Sequence, residues 1–201
     1  MNTFSALALS LSVLLGSSVY AQTEQAQEPE TLVLSDTLNY DDLSKTTQFS
    51  GNVILTRGLF RLSSDQLNIV EDAEGFRHGK ASMNSAKLVE LLEEDLENYE
   101  LIRAVGSRAE YNGKTEVVTM IGQAVVTRYV CGQPVDTVRG ERVVYDSKNK
   151  TYAAQGGPQS PEPGRVRSVV QPRSKADRAV EACRSKYQGK PMPSSIQTPD
   201  I

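Results

Sequence analysis

YDDLSKTTQFSGNVILTR, residues 40–57, governs the reading of this chain because it is written twice. YNGKTEVVTMIGQAVVTR, residues 111–128, repeats it 71 residues later. Tyr40, Gly51, Thr56 and Arg57 answer Tyr111, Gly122, Thr127 and Arg128, and Phe49 answers Met120 in a shared apolar slot. In the first copy Thr47, Phe49, Val53 and Leu55 alternate with Gln48, Ser50 and Asn52, with Gly51 midway on the apolar side. Successive side chains leave a strand on opposite faces, so a period of two marks a half-buried β-strand. The second copy places Val118, Met120, Ala124 and Val126 on one face around Gly122, and its other face, with Ile121 and Val125, is apolar enough to be covered too. A glycine in mid-strand predicts a bulge or bend where a sheet curves.

Turn signals punctuate the chain around both copies: Asp41-Asp42, Arg57-Gly58, Glu74-Gly75, Asn112-Gly113, Cys131-Gly132 and Lys148-Asn149. Asn112-Gly113 is the strongest and reads as a type I′ hairpin. A shorter pattern recurs four times, a small or acidic residue followed at steps of two by apolar ones: Asp36-Leu38-Tyr40, Asp65-Leu67-Ile69, Ser107-Ala109-Tyr111 and Glu141-Val143-Tyr145. A strand unit that cannot bury its apolar face alone is stabilised by stacking on its own copy. The expectation is therefore a stack of hairpins. One stretch departs from period two. NSAKLVELLEEDLENYE, from Asn84, has Leu88, Leu91, Leu92 and Leu96 at helical spacing, with Ser85 as a candidate cap. It reads as a short inserted helix or a long hairpin tip over residues 84–98.

The flanks set the compartment. The first 21 residues carry no charged side chain, and Ala6 to Leu15 form an apolar run of signal-peptide length, too short for a membrane span. Val19-Tyr20-Ala21 supplies the small residues of a cleavage site after Ala21. The alternative is an uncleaved anchor, because Lys and Arg are missing near the start. Residues 22–30 are a polar lead-in, expected to be disordered. Seven of the nine prolines lie at or after Pro158. There GRVRSVVQP has strand character, KADRAVEACRSKY suits one short helix, and the remainder of the 173–201 tail is expected to be loose. An exported chain meets an oxidising compartment. Cys131 and Cys183 then either form a disulfide, worth about 4 kcal/mol by loop-closure entropy, or remain two unpaired thiols.

Composition excludes several functions. The 201 residues carry a net charge of −3 and no Trp, without the basic face that nucleic acid requires. The single histidine, His78, lies in the polar stretch EGFRHGK and reads as an exposed loop or strand-end residue. No paired-His or Cys-x-x-Cys spacing suggests a metal, and no glycine-rich phosphate loop precedes a helix. The acidic run near residue 94 lacks the spacing of a calcium loop. Asp36, Asp65 and Glu141 recur at equivalent places, which argues for strand-end hydrogen bonding and against a site. The chain is read as a non-enzyme without a cofactor.

SDTLNYDDLSKTTQFSGNVILTRG with LSSDQLNIVED, then GSRAEYNGKTEVVTMIGQAVVTR, VRGERVVYDSKNKTYAAQGG and GRVRSVVQP, in that order, resemble the OstA-like domain family of LptA-type lipopolysaccharide transport proteins. The resemblance covers residues 31–172. It implies an all-β, open antiparallel β-jellyroll with an apolar groove for the acyl chains of lipid A, in a periplasmic bridge between inner and outer membranes. It also implies LptC-like inner-membrane and LptD-like outer-membrane partners, and head-to-tail copies of the chain, joined by edge-strand addition. Segment 84–98 and the tail after Pro172 are longer than the family pattern leads one to expect.

The groove is expected at Leu38, Tyr40, Phe49, Val53, Leu55, Leu67, Ile69, Tyr111, Met120, Ala124, Val126, Val143 and Tyr145, where an ordinary core is the competing reading. Arg57 and Arg128, at equivalent strand ends, are candidates for headgroup phosphate, with plain surface arginines as the alternative. A structural β-solenoid or filament with a dry core, and an LptC-like membrane-anchored subunit, are the rival functions.

Overall fold

The structure, a computed structural model, describes residues 29–196. The signal-peptide reading of residues 1–21 and most of the lead-in lie outside the described residues. Twelve antiparallel strands follow in order: β1 (Thr31–Leu34), β2 (Thr37–Asp41), β3 (Thr46–Arg57), β4 (Phe60–Glu71), β5 (Arg77–Ser82), β6 (Val89–Asp95), β7 (Glu100–Gly106), β8 (Arg108–Asn112), β9 (Val117–Val130), β10 (Gln133–Asp146), β11 (Thr151–Gln155) and β12 (Arg167–Val170). One helix, α1 (Arg173–Lys186), comes after them.

All twelve strands share one hydrogen-bonded sheet, which doubles back because β3, β4, β9 and β10 change neighbours halfway. The first half of β3 pairs with β2, and its second half with β1. β4 passes from β6 to β5, β9 from β8 to β7, and β10 from β12 to β11. The result is a jellyroll of two layers. Layer A runs β2-β3-β4-β5-β8-β9-β10-β11, and layer B runs β1-β3-β4-β6-β7-β9-β10-β12. The layers join along the seam where the four long strands bend, and face each other across the core.

The bends sit where the repeat places its glycines. Gly51 and Asn52 have φ of +80° and +45°, and Gly122 and Gln123 have +70° and +51°. The pairing slips by one residue at each of these two sites. Such a bulge turns the strand and leaves one residue unpaired. The recurring acidic or small residues sit beside the bends. Asp36 and Ser107 donate their backbone N–H to the carbonyls of Gly51 and Gly122. Asp65 Oδ2 accepts the Asn84 amide at 2.8 Å, and Glu141 Oε2 accepts that of Gln159 at 3.1 Å. The carboxylates therefore hold the seam.

The hairpins at the far ends follow a common chemistry. Asp41, Asp95, Asn112 and Asp146 each accept the amide three residues on, from Ser44, Asn98, Thr115 and Asn149. The residue after that, Lys45, Tyr99, Glu116 or Lys150, takes φ between +49° and +58°. This corrects the reading of Asn112-Gly113 as a type I′ turn. Asn112 opens a four-residue loop, and Gly113 lies outside the left-handed region. Glycine is needed there because a Cβ would stand 2.2 Å from the Arg77 carbonyl oxygen. The β9–β10 hairpin turns through Cys131-Gly132, both with positive φ, at +49° and +71°.

Segment 84–98 does not form a helix. β6 fills the place in layer B between β4 and β7, and alternation replaces helical spacing. Val89 and Leu91 become fully buried inside the jellyroll. Two ladders of backbone hydrogen bonds and that burial outweigh a helical stripe that had no face to pack against. Ser85 Oγ accepts only the local Lys87 amide, at 3.3 Å.

The tail is also more ordered than expected. α1 packs Ala179 against Val130 and Val135, and a disulfide joins Cys183 to Cys131, with Cα atoms 5.7 Å apart. Beyond α1 the chain runs along the outer rim of layer B. Tyr99 Oη donates to the Lys190 carbonyl at 3.2 Å, and the Met192 amide to that of Leu96 at 3.1 Å. Glu94, which is buried, accepts the Ser195 amide at 2.9 Å and the hydroxyls of Ser194 and Ser195. A buried carboxylate requires such donors.

Candidate functional site

Strand register aligns the inner face of layer A into rows. Leu38, Phe49, Leu67, Ala81, Ala109, Met120, Val143 and Ala154 are successive cross-strand partners from β2 to β11. The next row toward the mouth holds Tyr40, Thr47, Ile69, Gly79, Tyr111, Val118, Tyr145 and Tyr152. Layer B opposes them with Val33, Leu55, Leu62, Leu91, Ala104, Val126 and Val138. An apolar track thus runs from one edge of the protein to the other.

All but Val53 and Ala124 of the sequence-read groove residues fall in these rows. Phe49, Val53, Leu67, Met120, Ala124, Val126, Val143 and Tyr145 are buried in the inter-layer cluster, and Leu55, Ile69 and Tyr111 pack against it. Leu38 and Tyr40 share the inner rows but are 61 % and 54 % exposed, because β2 is an edge strand. The track ends in open edges, β1 and β2 on one side and the exposed β11 and β12 on the other. Among the described residues, α1 packs on β9 and β10.

Sequence reasoning missed the residues that make room. Gly79, Ala81 and Ala109 stand in the middle of layer A, between Leu67 and Met120. With small side chains there, the layers do not fill the space. A cavity of about 500 Å³ opens in the amino-terminal half, lined by Leu55, Phe60, Leu62, Leu67, Ile69, Leu91, Tyr111 and Val118. RHGKAS in β5 looked polar, and Leu91 was hidden by apparent helical spacing. The useful signal was the small residue at alternate positions of short strands. Aliphatic walls without a specific polar anchor can hold an apolar chain by area alone.

The polar groups sit at the mouth, away from the seam. Arg57 lines the cavity. Arg128 is held by two carboxylates, through Nε and Nη2 to Asp136 Oδ2 at 2.8 and 2.6 Å and through Nη1 to Glu100 Oε1 at 2.6 Å. Tyr145 and Tyr152 stack with ring centroids 4.9 Å apart. Burial pushes the Tyr152 phenol up to about 12 and that of Tyr145 higher still, with the nearby Glu93 adding to both. His78 lies at the start of β5 with Nε2 2.7 Å from Asp72 Oδ2, which also accepts two loop amides through Oδ1. These bonds, led by the one from His78, hold the Asp72 carboxyl below its ordinary value and brace the β4–β5 loop. No cluster suited to a metal occurs among the described residues.

Comparison with known proteins gives the same architecture. The family described as LptA/(LptD N-terminal domain) LPS transport protein matches residues 32–151. The lipopolysaccharide export system protein LptH of Pseudomonas aeruginosa is 26 % identical over 174 residues, covering 85 % of this chain and 95 % of its own. The crystal structure of LptH, the LptA-homologous periplasmic component of the lipopolysaccharide transport device of that organism, superposes with a TM-score of 0.61 at 23 % identity. It covers 72 % of this chain and 96 % of its own, so the fold is shared.

Proposed function

The chain belongs to the family of LptA and LptD N-terminal-domain lipopolysaccharide transport proteins, and on that premise we propose that it carries lipopolysaccharide across the periplasm, with the acyl chains of lipid A between its two layers. The family is one of transport, without catalysis. The observation that carries the reading is the registered apolar row from exposed Leu38 to Ala154 beside an unfilled cavity. A dry filament core would be packed shut there. Each methylene moved from water into such a groove is stabilised by about 0.8 kcal/mol, so several chains are held without any specific bond.

Residues 1–21 act in this reading as a cleavable signal, removed after Ala21, and the mature protein works in the periplasm. The open edges accept LptC-like and LptD-like domains and further copies by strand addition, which extends the row from one protein to the next. Arg57, which lines the cavity, and Arg128, at the equivalent strand end, are the candidates for headgroup phosphate.

Site-specific photocrosslinking in cells tests this. Probes at Ile69 and Tyr111, on the inner face, are expected to label with lipopolysaccharide, and probes at the outward-facing Asn68 and Lys80 are not. Equal labelling on both faces, or none at any position, overturns the assignment.

A further inference from the structure

The two halves of the groove differ. The cavity occupies the amino-terminal half, between the layers at β3, β4, β5 and β8. Its lining includes Glu93 and Ser147 but no residue of β7, β10 or β11. Met120, Ala124, Val126, Val143 and Tyr145, all buried, are not part of its lining. The repeat alone would have made the halves alike.

A polar bridge joins the two layers at this place. Glu93 lies on β6, the cross-strand neighbour of Phe60 and Ile102, so its carboxylate faces the interior from layer B. Ser147 opens the β10–β11 turn at the rim of layer A. Ser147 Oγ donates to Glu93 Oε1 at 2.8 Å, and Lys150 Nζ, in the same turn, approaches that oxygen at 3.9 Å. Glu93 is 20 % exposed, so the bond is shielded more than a surface contact. The Tyr145 ring and its stacked neighbour Tyr152 lie directly behind.

We propose that Glu93 and Ser147 form a clasp that divides the groove: an acyl chain is held first in the amino-terminal compartment and passes to the β10–β11 edge only when the clasp parts. This rests on the lipid reading above. The clasp carries no covalent step. It is a two-state contact, and a chain entering beneath Tyr145 and Tyr152 shifts it open by the apolar contacts that only the open state offers. One charged hydrogen bond suits such a role, being strong enough to keep the empty half shut and weak enough to yield to a few buried methylenes.

The test compares photocrosslinking to lipopolysaccharide at Ile69 and Tyr152, which lie in one row on either side of the clasp. It is run in the otherwise unaltered chain and with Glu93→Gln and Ser147→Ala. Ser147 sits in a turn, so its alanine variant keeps the fold. The ratio of Tyr152 to Ile69 labelling is expected to rise roughly tenfold in both variants, the effect of removing one hydrogen bond to a charged group. If both positions label and the ratio does not move, the clasp is refuted while the lipid reading stands. If neither position labels in any of the three proteins, the lipid reading fails, and the clasp with it.

Discussion

Gly51 and Gly122 share one backbone state, at φ +80° and +70°, and each offers its carbonyl to the residue just before the preceding strand, Asp36 at 2.9 Å and Ser107 at 2.8 Å. The recurrence across 71 residues shows what the repeat encodes. It places a left-handed bulge where a long strand must leave one layer for the other. The seam follows from these bends, and the seam holds two apolar faces apart at one side and together at the other.

Alanine at either glycine is expected to destabilise the fold, Gly51→Ala more than Gly122→Ala. Both variants force a side chain into the left-handed region. At Gly51 the new Cβ would also stand 2.1 Å from Asp36 Oδ2, whose carboxylate holds Asn52 Nδ2, whereas at Gly122 the nearest atoms are at 2.9 Å. Losses of about 3 and about 1–2 kcal/mol are expected from thermal unfolding.

Gly79→Val separates binding from folding. A Cβ at Gly79 meets Tyr111 and Leu67 at 3.7 and 3.9 Å, ordinary contact distances, and valine favours a strand. The melting temperature should hold or rise while lipid uptake falls. Displacing about two methylenes of a bound chain, at roughly 0.8 kcal/mol each, weakens binding on the order of tenfold. Titration with a fluorescent lipid measures this, and unchanged affinity would show that the cavity is not the binding space.

The tail clip at Glu94 should be sensitive to acid. Burial pushes this carboxyl up, but the bonds from Ser194 and Ser195 outweigh it and hold it below its ordinary value of 4.5. A depressed folded value means the carboxylate supports docking fully above pH 4.5 and loses that support as pH falls through the depressed one. Protection of the Ser195 amide, relative to its intrinsic exchange rate at each pH, should therefore be high at neutral pH and fall as pH drops below 4.5 through the depressed value. Glu94→Gln should give low protection at either pH.

Reduction of the Cys131–Cys183 bond should free α1 while leaving the jellyroll folded. The helix has no side-chain cap and buries only Ala179 and Cys183. Hydrogen exchange with and without reductant should show α1 losing protection and β9 keeping it. A loss of up to about 4 kcal/mol is expected, confined to the tail and its clip. Loss of protection throughout β3 and β9 would contradict this.

Arg128→Ala should cost about 1–2 kcal/mol, because it leaves Glu100 and Asp136 facing each other across the mouth, partly shielded from water. Adding Asp136→Ala to it should recover part of the loss, and thermal unfolding of the two variants measures the coupling.

Local periodicity made much of this legible. Alternation in residues 47–55 and 118–126 named the inner face of β3 and β9, and the glycines named the bends. Segment 84–98 was not legible, because leucines at 88, 91, 92 and 96 satisfy a helix as well as a strand until a gap in a sheet chooses between them. Asn112-Gly113 misled for a similar reason. The dipeptide permits a tight turn, but the Asn112 side chain closes a longer one, and Gly113 is needed by the backbone of Arg77.

By itself the sequence determined strand identity, the facing of side chains and the positions of the bends, since these depend on the stereochemistry of neighbouring residues along the chain. Only the tertiary structure decided which half of the groove stays open. That choice arises where Gly79, Ala81 and Ala109 leave space in one layer, and where Glu93 on β6 meets Ser147 from a turn 54 positions later. Packing and charge pairing between layers depend on distances that no local pattern contains.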